Sequence, residues 1–305
     1  MKLVVAGATG FIGSALCSAL AREGHALVAL SRSPSPATAS NMATVVWQPE
    51  SPGGWERDVA EVLSGADGVI NLAGEPIAEK KWTATQRRRL EKSRVDATRV
   101  LVQGCAKAKQ KPKFLINASA VGYYGPHGDD IITEEAPSGG DFLSQLCHNW
   151  EAEAKQAEHL GMRVVLLRTG IVLGRGGGAL RKMVPPFKWF SGGPLGSGKQ
   201  WMSWIHLADQ VRLILYLIEN HQAAGPINAT APNPERNKDF SRALGKVLHR
   251  PSWMPVPGFL LRIGLGDMAD MLLTGQRVVP AAAQKLGFEF RYPTLPEALR
   301  ACMPL

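Results

Sequence analysis

The chain has 305 residues, of which 45% are hydrophobic and 20% are charged, and its formal net charge is +9. These values exclude a disordered or fibrous chain, and the length suits one large α/β domain with a smaller lobe. The positive charge suits phosphorylated ligands, but the densest basic cluster, Arg87 to Arg89, is flanked by Glu79 and Glu91. We therefore expect a solvated helix face there and no nucleic-acid partner.

The cysteines, histidines and apolar residues are distributed as in a cytoplasmic protein. The seven histidines are scattered, so we propose no metal site. No apolar segment reaches the roughly eighteen residues that span a bilayer, so we expect no membrane partner. The predicted location is the cytoplasm, or an organelle stroma or matrix if a targeting peptide has been removed. Reduced thiols are predicted because the cysteines lie far apart in the sequence, at Cys17, Cys105, Cys147 and Cys302.

The first thirteen residues predict a strand, a tight glycine turn and a helix. Leu3 to Val5 is an apolar, β-branched run, and glycines then recur at three-residue spacing. Such a turn lets backbone amides and the start of a helix approach a pyrophosphate. We therefore predict a dinucleotide site formed by Gly7, Thr9, Gly10, Phe11, Ile12 and Gly13.

The second predicted strand, His25 to Leu30, ends in Ser31 and Arg32. NAD-binding proteins tend to place a carboxylate at the end of this strand, where it binds the adenosine 2′-hydroxyl. An arginine can instead bind a 2′-phosphate through two hydrogen bonds. We therefore predict that Ser31 and Arg32 bind the cofactor and that NADP(H) is favoured over NAD(H), although an ordinary surface arginine would also fit the pattern.

Strands and helices continue to alternate in the middle of the chain. We predict a strand over 43–47, a helix over 56–63, a buried strand from Gly68, a long helix over 83–109 and a strand over 114–119. Ligands of doubly wound sheets lie beyond the carboxyl ends of the strands. Leu72, Ala73 and Gly74 follow the strand that starts at Gly68, so we expect them to contact the cofactor.

Further elements complete an α/β fold with a doubly wound parallel Rossmann sheet and a smaller C-terminal substrate lobe. We predict a solvated acidic loop over 126–141, a strand over 162–168, a helix over 211–220 and a strand over 225–230. The segment 193–200 nearly spells a P-loop, but Gln200 stands where the magnesium-binding hydroxyl belongs, so no second nucleotide site is expected.

Two domains are expected on this basis. We assign residues 1–230 to the Rossmann domain and 231–305 to the substrate-covering domain, with 175–205 contributing to the substrate lobe. If this lobe closes over the sheet edge, a pocket lies between the two. Candidates for its lining are Lys81, Trp82, Trp201, Trp204 and Arg277, of which the aromatic residues could equally belong to the core.

Several ordered motifs resemble the extended short-chain dehydrogenase/reductase superfamily. They are the N-terminal glycine turn, Asn71-Leu-Ala-Gly74, Ser119 at the end of a strand, and Tyr124-Gly125 just after it. Asn71-Leu-Ala-Gly-Glu-Pro-Ile, Trp201-Met-Ser-Trp-Ile-His206 and Gly287-Phe-x-Phe-x-Tyr-Pro-Thr-Leu295 resemble, more narrowly, the "epimerase family" branch of NAD-dependent epimerase/dehydratase-like proteins. The likeness extends from Met1 to about Leu299.

The resemblance implies a catalytic Ser or Thr and a Tyr-x-x-x-Lys motif, in which the tyrosine is the acid/base and the lysine lowers its pKa. Ser119 matches the serine. The helix that should carry the other two residues has Cys147 at the tyrosine position and Glu151 at the lysine position. A carboxylate there would raise the pKa of a neighbouring thiol, so we interpret Cys147 as a packing residue.

Two further residues are candidates at this site. Tyr124 follows Ser119 closely and could supply a displaced phenol, or it could pack against the cleft. Arg94 stands where related proteins often have an asparagine; it could bind a substrate or cofactor phosphate, or lie on the surface. His206 and Asp209 are expected to fix local geometry.

The function predicted on this basis is that of an NADP(H)-binding oxidoreductase or isomerase, of the nucleotide-sugar epimerase or reductase type. Its substrate would be a small carbonyl or alcohol compound, anionic or nucleotide-linked. Catalysis would involve Ser119 and an acid/base that is Tyr124 or a water. The alternative is an NADP(H)-sensing regulator or scaffold without turnover. The sequence leaves the oligomeric state open.

Overall fold

The structure is a computed structural model that describes residues 1–32, 42–49 and 55–303. Its strands are β1 (Lys2–Ala6), β2 (Ala26–Ser31), β3 (Met42–Val46), β4 (Gly68–Asn71), β5 (Phe114–Ala120), β6 (Ile131–Ile132), β7 (Arg163–Thr169), β8 (Ile171–Leu173), β9 (Trp201–Met202), β10 (Trp204–His206), β11 (Gly225–Ala229), β12 (Glu235–Arg236) and β13 (Arg277–Val278).

Helices lie between and after these strands. They are α1 (Phe11–Arg22), α2 (Trp55–Leu63), α3 (Ala84–Lys92), α4 (Val95–Lys107), α5 (Phe142–Lys155), α6 (Leu180–Lys188), α7 (Leu207–Glu219), α8 (Asn237–Leu248), α9 (Gly258–Leu265), α10 (Asp270–Leu273), α11 (Ala281–Lys285) and α12 (Leu295–Cys302). In the part of the chain that the structure describes, no helix combines the length and apolarity needed to cross a bilayer.

Seven strands form the central sheet in the order β11-β7-β5-β4-β1-β2-β3, and every neighbouring pair is parallel. The strand order reverses between β1 and β4, where ligands bind in doubly wound sheets. The predicted doubly wound Rossmann sheet is therefore confirmed. Ala6 aligns with Leu30 of β2 and Asn71 of β4, so the residues that follow these strands emerge at one edge of the sheet.

Side chains on successive strand positions feed two apolar layers. Leu3 and Val5 pack with α1 and α7 on one face, while Val4 and Ala6 pack with α2 and α4 on the other. This alternation follows from the two-residue period of a strand, and burial on both faces explains the continuous apolar runs. The sheet is thereby held between two helical layers.

The C-terminal segment contributes to two cores. Ala283 of α11 and Phe288 join the layer that α1 and α7 form on the sheet. Phe240 of α8 and Leu299 of α12 instead pack with Trp204 in a separate cluster. The predicted division at residue 230 falls just after β11, the last strand of the main sheet, and it stays a prediction.

The structure corrects the long helix predicted over 83–109, which is interrupted between α3 and α4. At the break, the Ser93 hydroxyl donates to the Leu90 carbonyl at 3.0 Å and accepts the Glu75 amide at 3.0 Å. A serine that hydrogen-bonds nearby backbone competes with regular helix geometry. The interruption places Arg94 at the start of α4, next to the loop that follows β4.

The segment predicted as a solvated loop over 126–141 is also more ordered than expected. Its strand β6 pairs in parallel with β13, and Asp129 accepts hydrogen bonds from Trp201 and Arg236. Glu134 accepts the amide of Asn228 at 2.9 Å. These contacts to distant parts of the chain could not be read from local polarity, and they connect the sheet to the C-terminal segment.

Candidate active site

The glycine turn after β1 fits a dinucleotide cradle on steric grounds. Gly7 has a φ of +78°, and a Cβ there would lie 2.6 Å from the carbonyl carbon of Leu72. A Cβ at Gly13 would lie 2.1 Å from the Gly7 carbonyl oxygen. Gly10 caps α1 with backbone alone, without a side-chain hydrogen bond in the described structure. The turn thus brings the start of α1 close to the end of β4.

The other residues predicted for the cofactor lie around this turn. Thr9 is exposed and Ile12 is half-buried. The Phe11 ring lies against the backbone of Gly177 and Gly178, in the loop that follows β8. At the adjacent strand, Ser31 ends β2 and Arg32 is exposed just beyond it.

A buried polar network holds the segment Leu72 to Gly74 in place. The side-chain amide of Asn71 donates from Nδ2 to Thr98 Oγ1 at 2.8 Å and to Asn117 Oδ1 at 2.7 Å. Asn71 Oδ1 accepts the Ala73 amide at 3.2 Å, and Trp150 Nε1 also donates to Thr98 at 2.8 Å. Because buried polar groups are costly unless paired, this network specifies the path of the loop toward the glycine turn.

Arg94 lies directly against this loop. A Cβ on Gly74 would lie 3.1 Å from the guanidinium carbon of Arg94. The guanidinium donates to the Leu90 and Glu75 carbonyls at 3.1 and 2.9 Å and lies over the Trp150 ring. Burial lowers the pKa of Arg94, and nearby Cys147 and Glu75 oppose that shift. An arginine stays protonated in such surroundings, so a fixed cation lies at this point.

Ser119, at the end of β5, belongs to a buried charged cluster. Its hydroxyl donates to Glu151 Oε1 at 2.6 Å, and both residues are almost completely buried. Arg168, at the end of β7, donates from Nε and Nη2 to the two oxygens of Glu151, each at 2.8 Å. The position that should hold the family lysine therefore holds a carboxylate with its own arginine.

Tyr124 belongs to the same cluster, where it contacts Arg168. The tyrosine is fully buried, donates to Asn228 Oδ1 at 2.6 Å and accepts from Arg168 Nη1 at 3.0 Å. Burial raises the pKa of its phenol to about 12. A buried phenol with both hydrogen-bonding roles engaged is poorly suited to exchange a proton with substrate. The geometry therefore disfavours Tyr124 as the displaced acid/base.

Cys147 is buried between Ser119 and Arg94. Burial, followed by the charge of Glu151, raises the pKa of the thiol to about 12, while Arg94 and Ser119 partly offset this increase. The predicted direction of the Glu151 effect is confirmed. A thiol with so high a pKa stays protonated at neutral pH and is a weak nucleophile.

The candidate lining residues do not all face a cleft. Trp204 belongs to the core, which is the alternative that the sequence left open: it is fully buried, and its indole donates to the Asn233 carbonyl at 3.1 Å. Trp201 is half-buried and stacks with Arg236 and Arg277 at 4.6 and 4.7 Å. Trp82 packs on Phe142 at 5.3 Å, and Lys81 is exposed.

Two other predictions agree with the structure. His206 caps α7 by accepting the Ala208 amide at 3.1 Å, and Asp209 accepts the amides of Arg291 and Tyr292, each at 2.8 Å. Both side chains thus fix local geometry. The P-loop-like segment leads into β9 rather than into a helix, so it has no phosphate-binding architecture.

Arg168 is the main residue of this cluster that the sequence did not single out. Its signal was an arginine at the end of a strand that is otherwise continuously apolar, Val164 to Leu167. A buried cation needs a buried anion, and Glu151 was already out of place for the family pattern. Within the described ranges, no group of three or more histidine, cysteine or acidic side chains is arranged to hold a metal ion.

Matches to known proteins extend over nearly the whole chain. The model described as NAD dependent epimerase/dehydratase family matches residues 3–229, and one described as Domain of unknown function (DUF1731) matches residues 256–302. The Arabidopsis thaliana protein named epimerase family protein SDR39U1 homolog, chloroplastic, is 43% identical over 99% of this chain and 87% of its own length. Epimerase family protein YfhF of Bacillus subtilis is 41% identical over 98% of this chain and 97% of its own.

A solved structure is similar over its full length. It is described as human epimerase family protein SDR39U1 (isoform2) with NADPH and is 34% identical to this chain. The two superpose with a TM-score of 0.88, and the match covers 99% of each chain.

Proposed function

The chain belongs to the NAD-dependent epimerase/dehydratase family, and from this premise we propose that it binds NADP(H) at the glycine turn and acts as an oxidoreductase or epimerase-type isomerase. The observation that carries the proposal is the steric fit of the turn, where Gly7 and Gly13 have no room for a Cβ. When bound, the cofactor supplies or accepts a hydride. The NADPH in the structure of the human relative supports the choice of cofactor.

We assign the cofactor contacts to the residues around the switch point of the sheet. The turn from Gly7 to Gly13 would hold the pyrophosphate, and Leu72 to Gly74 would contact the cofactor beyond β4. Arg32 is exposed at the end of β2, where its guanidinium can bind an adenosine 2′-phosphate. An anionic phosphate at this point favours NADPH over NADH.

For the proton, we propose a relay through Ser119 in place of the family tyrosine. Ser119 Oγ would accept a proton from a substrate hydroxyl while its own proton passes to Glu151 Oε1, 2.6 Å away. Reduction of a carbonyl would return the same proton in the opposite direction. Arg168 holds Glu151 in place through two hydrogen bonds and limits the carboxylate to one orientation. Glu151 thus acts on the substrate only through Ser119.

The substrate is proposed to be a small, anionic or nucleotide-linked carbonyl or alcohol compound. Arg94 offers a fixed cation beside Gly74, and Arg277 offers a second one stacked on Trp201. Guanidinium groups bind phosphates and carboxylates through paired donors. The four cysteines are free and buried, which fits the proposed cytoplasmic compartment or an organelle stroma or matrix.

A second candidate is an NADP(H)-sensing regulator or scaffold without turnover. The observation that favours it is the state of the cluster itself: Ser119 donates to Glu151, and Tyr124 is buried with its hydroxyl engaged. A cluster that stabilises only the fold would have the same hydrogen bonds. The two candidates share the cofactor and differ in whether Ser119 contacts a substrate.

Thermal unfolding with each cofactor tests the binding proposal. We expect NADPH to raise the Tm more than NADH, because a ligand that binds the folded state stabilises it more at a given concentration when its affinity is higher. Arg32→Glu should narrow this difference in Tm because it weakens NADPH binding. Arg300→Glu, which makes the same charge change at an exposed position of α12, is the matched control and should leave the difference intact. Equal shifts from the two cofactors in the wild type would refute the role of Arg32.

Turnover tests the relay. NADPH oxidation should be followed with a panel of aldehydes, ketones and nucleotide sugars, using wild type, Ser119→Ala and Glu151→Gln. We expect both variants to lose kcat by about 100-fold or more while still gaining Tm from NADPH. If no compound in a broad panel reacts and Ser119→Ala binds NADPH normally, the regulator is the better assignment.

A further inference from the structure

One region of the surface carries most of the large exposed apolar side chains among the described residues. Trp189 is 79% exposed, Trp253 is 62% exposed and Ile263 is 75% exposed. Isolated exposed apolar residues are ordinary, but a concentration of them marks an interaction site. We use the name apolar platform for the set Trp189, Phe190, Trp253, Met254, Phe259, Leu260 and Ile263.

The two segments that form the apolar platform run side by side. Trp253 donates its indole N–H to the Phe190 carbonyl at 3.0 Å and its backbone N–H to the Gly192 carbonyl at 3.1 Å. The Val256 amide donates to the Pro194 carbonyl at 2.9 Å, and α9 begins two residues later. A Cβ on Gly258 would lie 4.0 Å from the Gly196 Cα. Residues 190–196 therefore lie directly beside residues 253–258, where α9 begins.

Helix α9 is unusually apolar for a helix that is exposed to solvent. Its sequence is Gly-Phe-Leu-Leu-Arg-Ile-Gly-Leu, and every one of its eight residues is at least partly exposed. A helix that is apolar around most of its circumference is normally buried, and one this short has little stability of its own. We therefore expect α9 to be covered by a binding partner in the functional protein.

The two segments that form the platform carry cations and no acids, and acids from neighbouring segments pair with some of these cations. Residues 176–208 and 240–266 contain no aspartate or glutamate. They do contain a set of cations: Arg181, Lys182, Lys188, Lys199, Arg242, Lys246, Arg250 and Arg262. Arg250 stacks on the Phe190 ring at 4.7 Å, so a cation lies within the platform itself. Glu79 pairs with Arg181 and Lys182, and Asp239 pairs with Arg242. The next acids along the chain, Asp267 and Asp270, pair with Arg87 and Arg262.

We propose that the apolar platform docks on the surface of an anionic phospholipid bilayer, with its tryptophans and phenylalanines in the headgroup region. Exposed Trp, Phe and Ile beside Lys and Arg are what binds a protein to such an interface. The Trp253 indole N–H is already used within the protein, so its exposed face offers apolar contact rather than directional recognition. This is a surface contact, not a spanning segment, and it revises the expectation of no membrane partner.

Two other occupants fit less well. A second copy would meet this surface through a two-fold contact, which places like residues near one another. Cations would then face cations. An acidic polypeptide would match the charge, but it would not by itself cover the aromatic and aliphatic side chains of α9. A bilayer supplies the negative charge and the apolar interior together.

Vesicle sedimentation of the full chain tests the proposal. The probes are vesicles of phosphatidylcholine and phosphatidylglycerol in equal parts, compared with phosphatidylcholine alone. We expect partitioning to be at least about tenfold stronger on the anionic vesicles and to weaken with added salt. The double variant Trp253→Ser with Ile263→Ser should lose about tenfold or more on the anionic vesicles, and Lys188→Glu should lose several-fold.

Matched controls separate the platform from general effects. Ile131→Ser removes an apolar side chain that is 58% exposed outside the platform, and Arg300→Glu makes the Lys188→Glu charge change on α12. Both should bind vesicles like the wild type. A cooperative thermal transition without cofactor, with a Tm close to that of the wild type, shows that each variant folds. This control does not depend on NADPH binding, so the test is separate from the proposed function.

Three results would overturn the proposal. One is wild-type protein that stays in solution with anionic vesicles, and another is unchanged partitioning of the double variant. The third is self-association in sedimentation velocity, or binding to polyglutamate, that the double variant abolishes while vesicle binding is absent. In that case a second copy or an acidic polypeptide covers the platform.

Discussion

Glu151 and Glu153 lie two residues apart on α5, and each accepts two hydrogen bonds from an arginine. Glu151 binds Arg168 in the interior, where both side chains are almost fully buried. Glu153 binds Arg99 at 3.0 and 2.7 Å on the surface. The two ion pairs have similar chemistry and differ in burial, so a comparison between them isolates the effect of burial on stability. Removing one partner of a buried pair leaves an uncompensated charge, whereas exposed pairs contribute little.

We predict that Glu151→Gln lowers the free energy of unfolding by about 3–5 kcal/mol. Glu153→Gln should lower it by less than about 1 kcal/mol. Ser119→Ala, which leaves Glu151 paired with Arg168, should cost about 1.5–3 kcal/mol, the value of one hydrogen bond to a charged group. Urea unfolding of the three variants measures these differences. Comparable losses for Glu151→Gln and Glu153→Gln would mean that the interior pair is solvated.

Single residues also show how far the sequence can predict the site. Glycine spacing identified Gly7 and Gly13, because steric exclusion depends on residue type alone. The contact between Glu151 and Arg168 joins residues 17 apart on different elements, and only the packing of α5 on β7 creates it. A departure from the family pattern indicated that something had changed at Glu151. It did not indicate which residue would compensate.

At the scale of elements, the start of α7 connects the main domain to the C-terminal segment. Asp209 is fully buried in the first turn of α7 and accepts the amides of Arg291 and Tyr292 as well as a hydrogen bond from Arg212 at 3.0 Å. Asp239 occupies the corresponding turn of α8 and binds Arg242 at 2.9 Å. The two aspartates share a helix position and an i,i+3 arginine. Only Asp209 also holds distant backbone.

Asp209→Asn is therefore predicted to cost at least about 2 kcal/mol of unfolding free energy, since hydrogen bonds to a buried charged acceptor are worth about 1.5–3 kcal/mol each. Asp239→Asn serves as the control and should cost less than about 1 kcal/mol. Denaturant titrations of both proteins give the comparison. If Asp239→Asn proved as damaging as Asp209→Asn, helix-end electrostatics rather than the long-range amides would explain the loss.

His206 makes the same helix start sensitive to acid. Burial, and to a lesser degree Arg291, lowers the pKa of the imidazole below its ordinary value, while Asp209 opposes the shift. The folded state therefore prefers neutral His206, whose Nδ1 accepts the Ala208 amide. As the pH falls through the ordinary histidine range near about 6.5, the unfolded chain takes up the proton first and stability is lost.

We expect the Tm to fall between about pH 7.5 and about pH 5.5, and to fall less in His206→Asn. Asparagine can accept the Ala208 amide without titrating. The variant also loses the contact between His206 and Tyr292, whose rings lie 4.1 Å apart, so its Tm at neutral pH should be lower. The measurement that decides is the slope of Tm against pH. An unchanged slope would assign the acid sensitivity to other groups.

Element boundaries were predicted where local signals suffice. The strands of the central sheet were expected close to where they occur, because a mostly apolar run marks each segment. The break between α3 and α4 was missed because it depends on Ser93 accepting the amide of Glu75, 18 residues earlier. Strand β6 was missed because its partner, β13, lies far along the chain.

For the whole molecule, the alternation of strands and helices was enough to predict a doubly wound sheet, since right-handed crossovers leave few other arrangements. The relation of the C-terminal segment to that sheet could not be predicted in the same way. Composition suggested one lobe over 231–305. In the structure, Phe288 and Ala283 complete the core under α7, whereas α9 is exposed on the apolar platform. Contacts of this kind depend on tertiary packing and have no local signature.

Hydrogen exchange should separate these two parts of the C-terminal segment. Amides of α11 and the residues after it, such as Leu286 and Phe288, are bonded within a segment packed on the main core. We expect them to exchange at least about tenfold more slowly than amides of α9, because opening an exposed helix breaks few apolar contacts. Mass spectrometry of the intact protein, with β11 as the slow reference, provides the rates. If residues 231–305 formed an independent unit, α9 and α11 would open together and exchange at one rate. Separate rates would instead place α11 with the Rossmann domain and leave α9 as the part of the segment free to bind a surface.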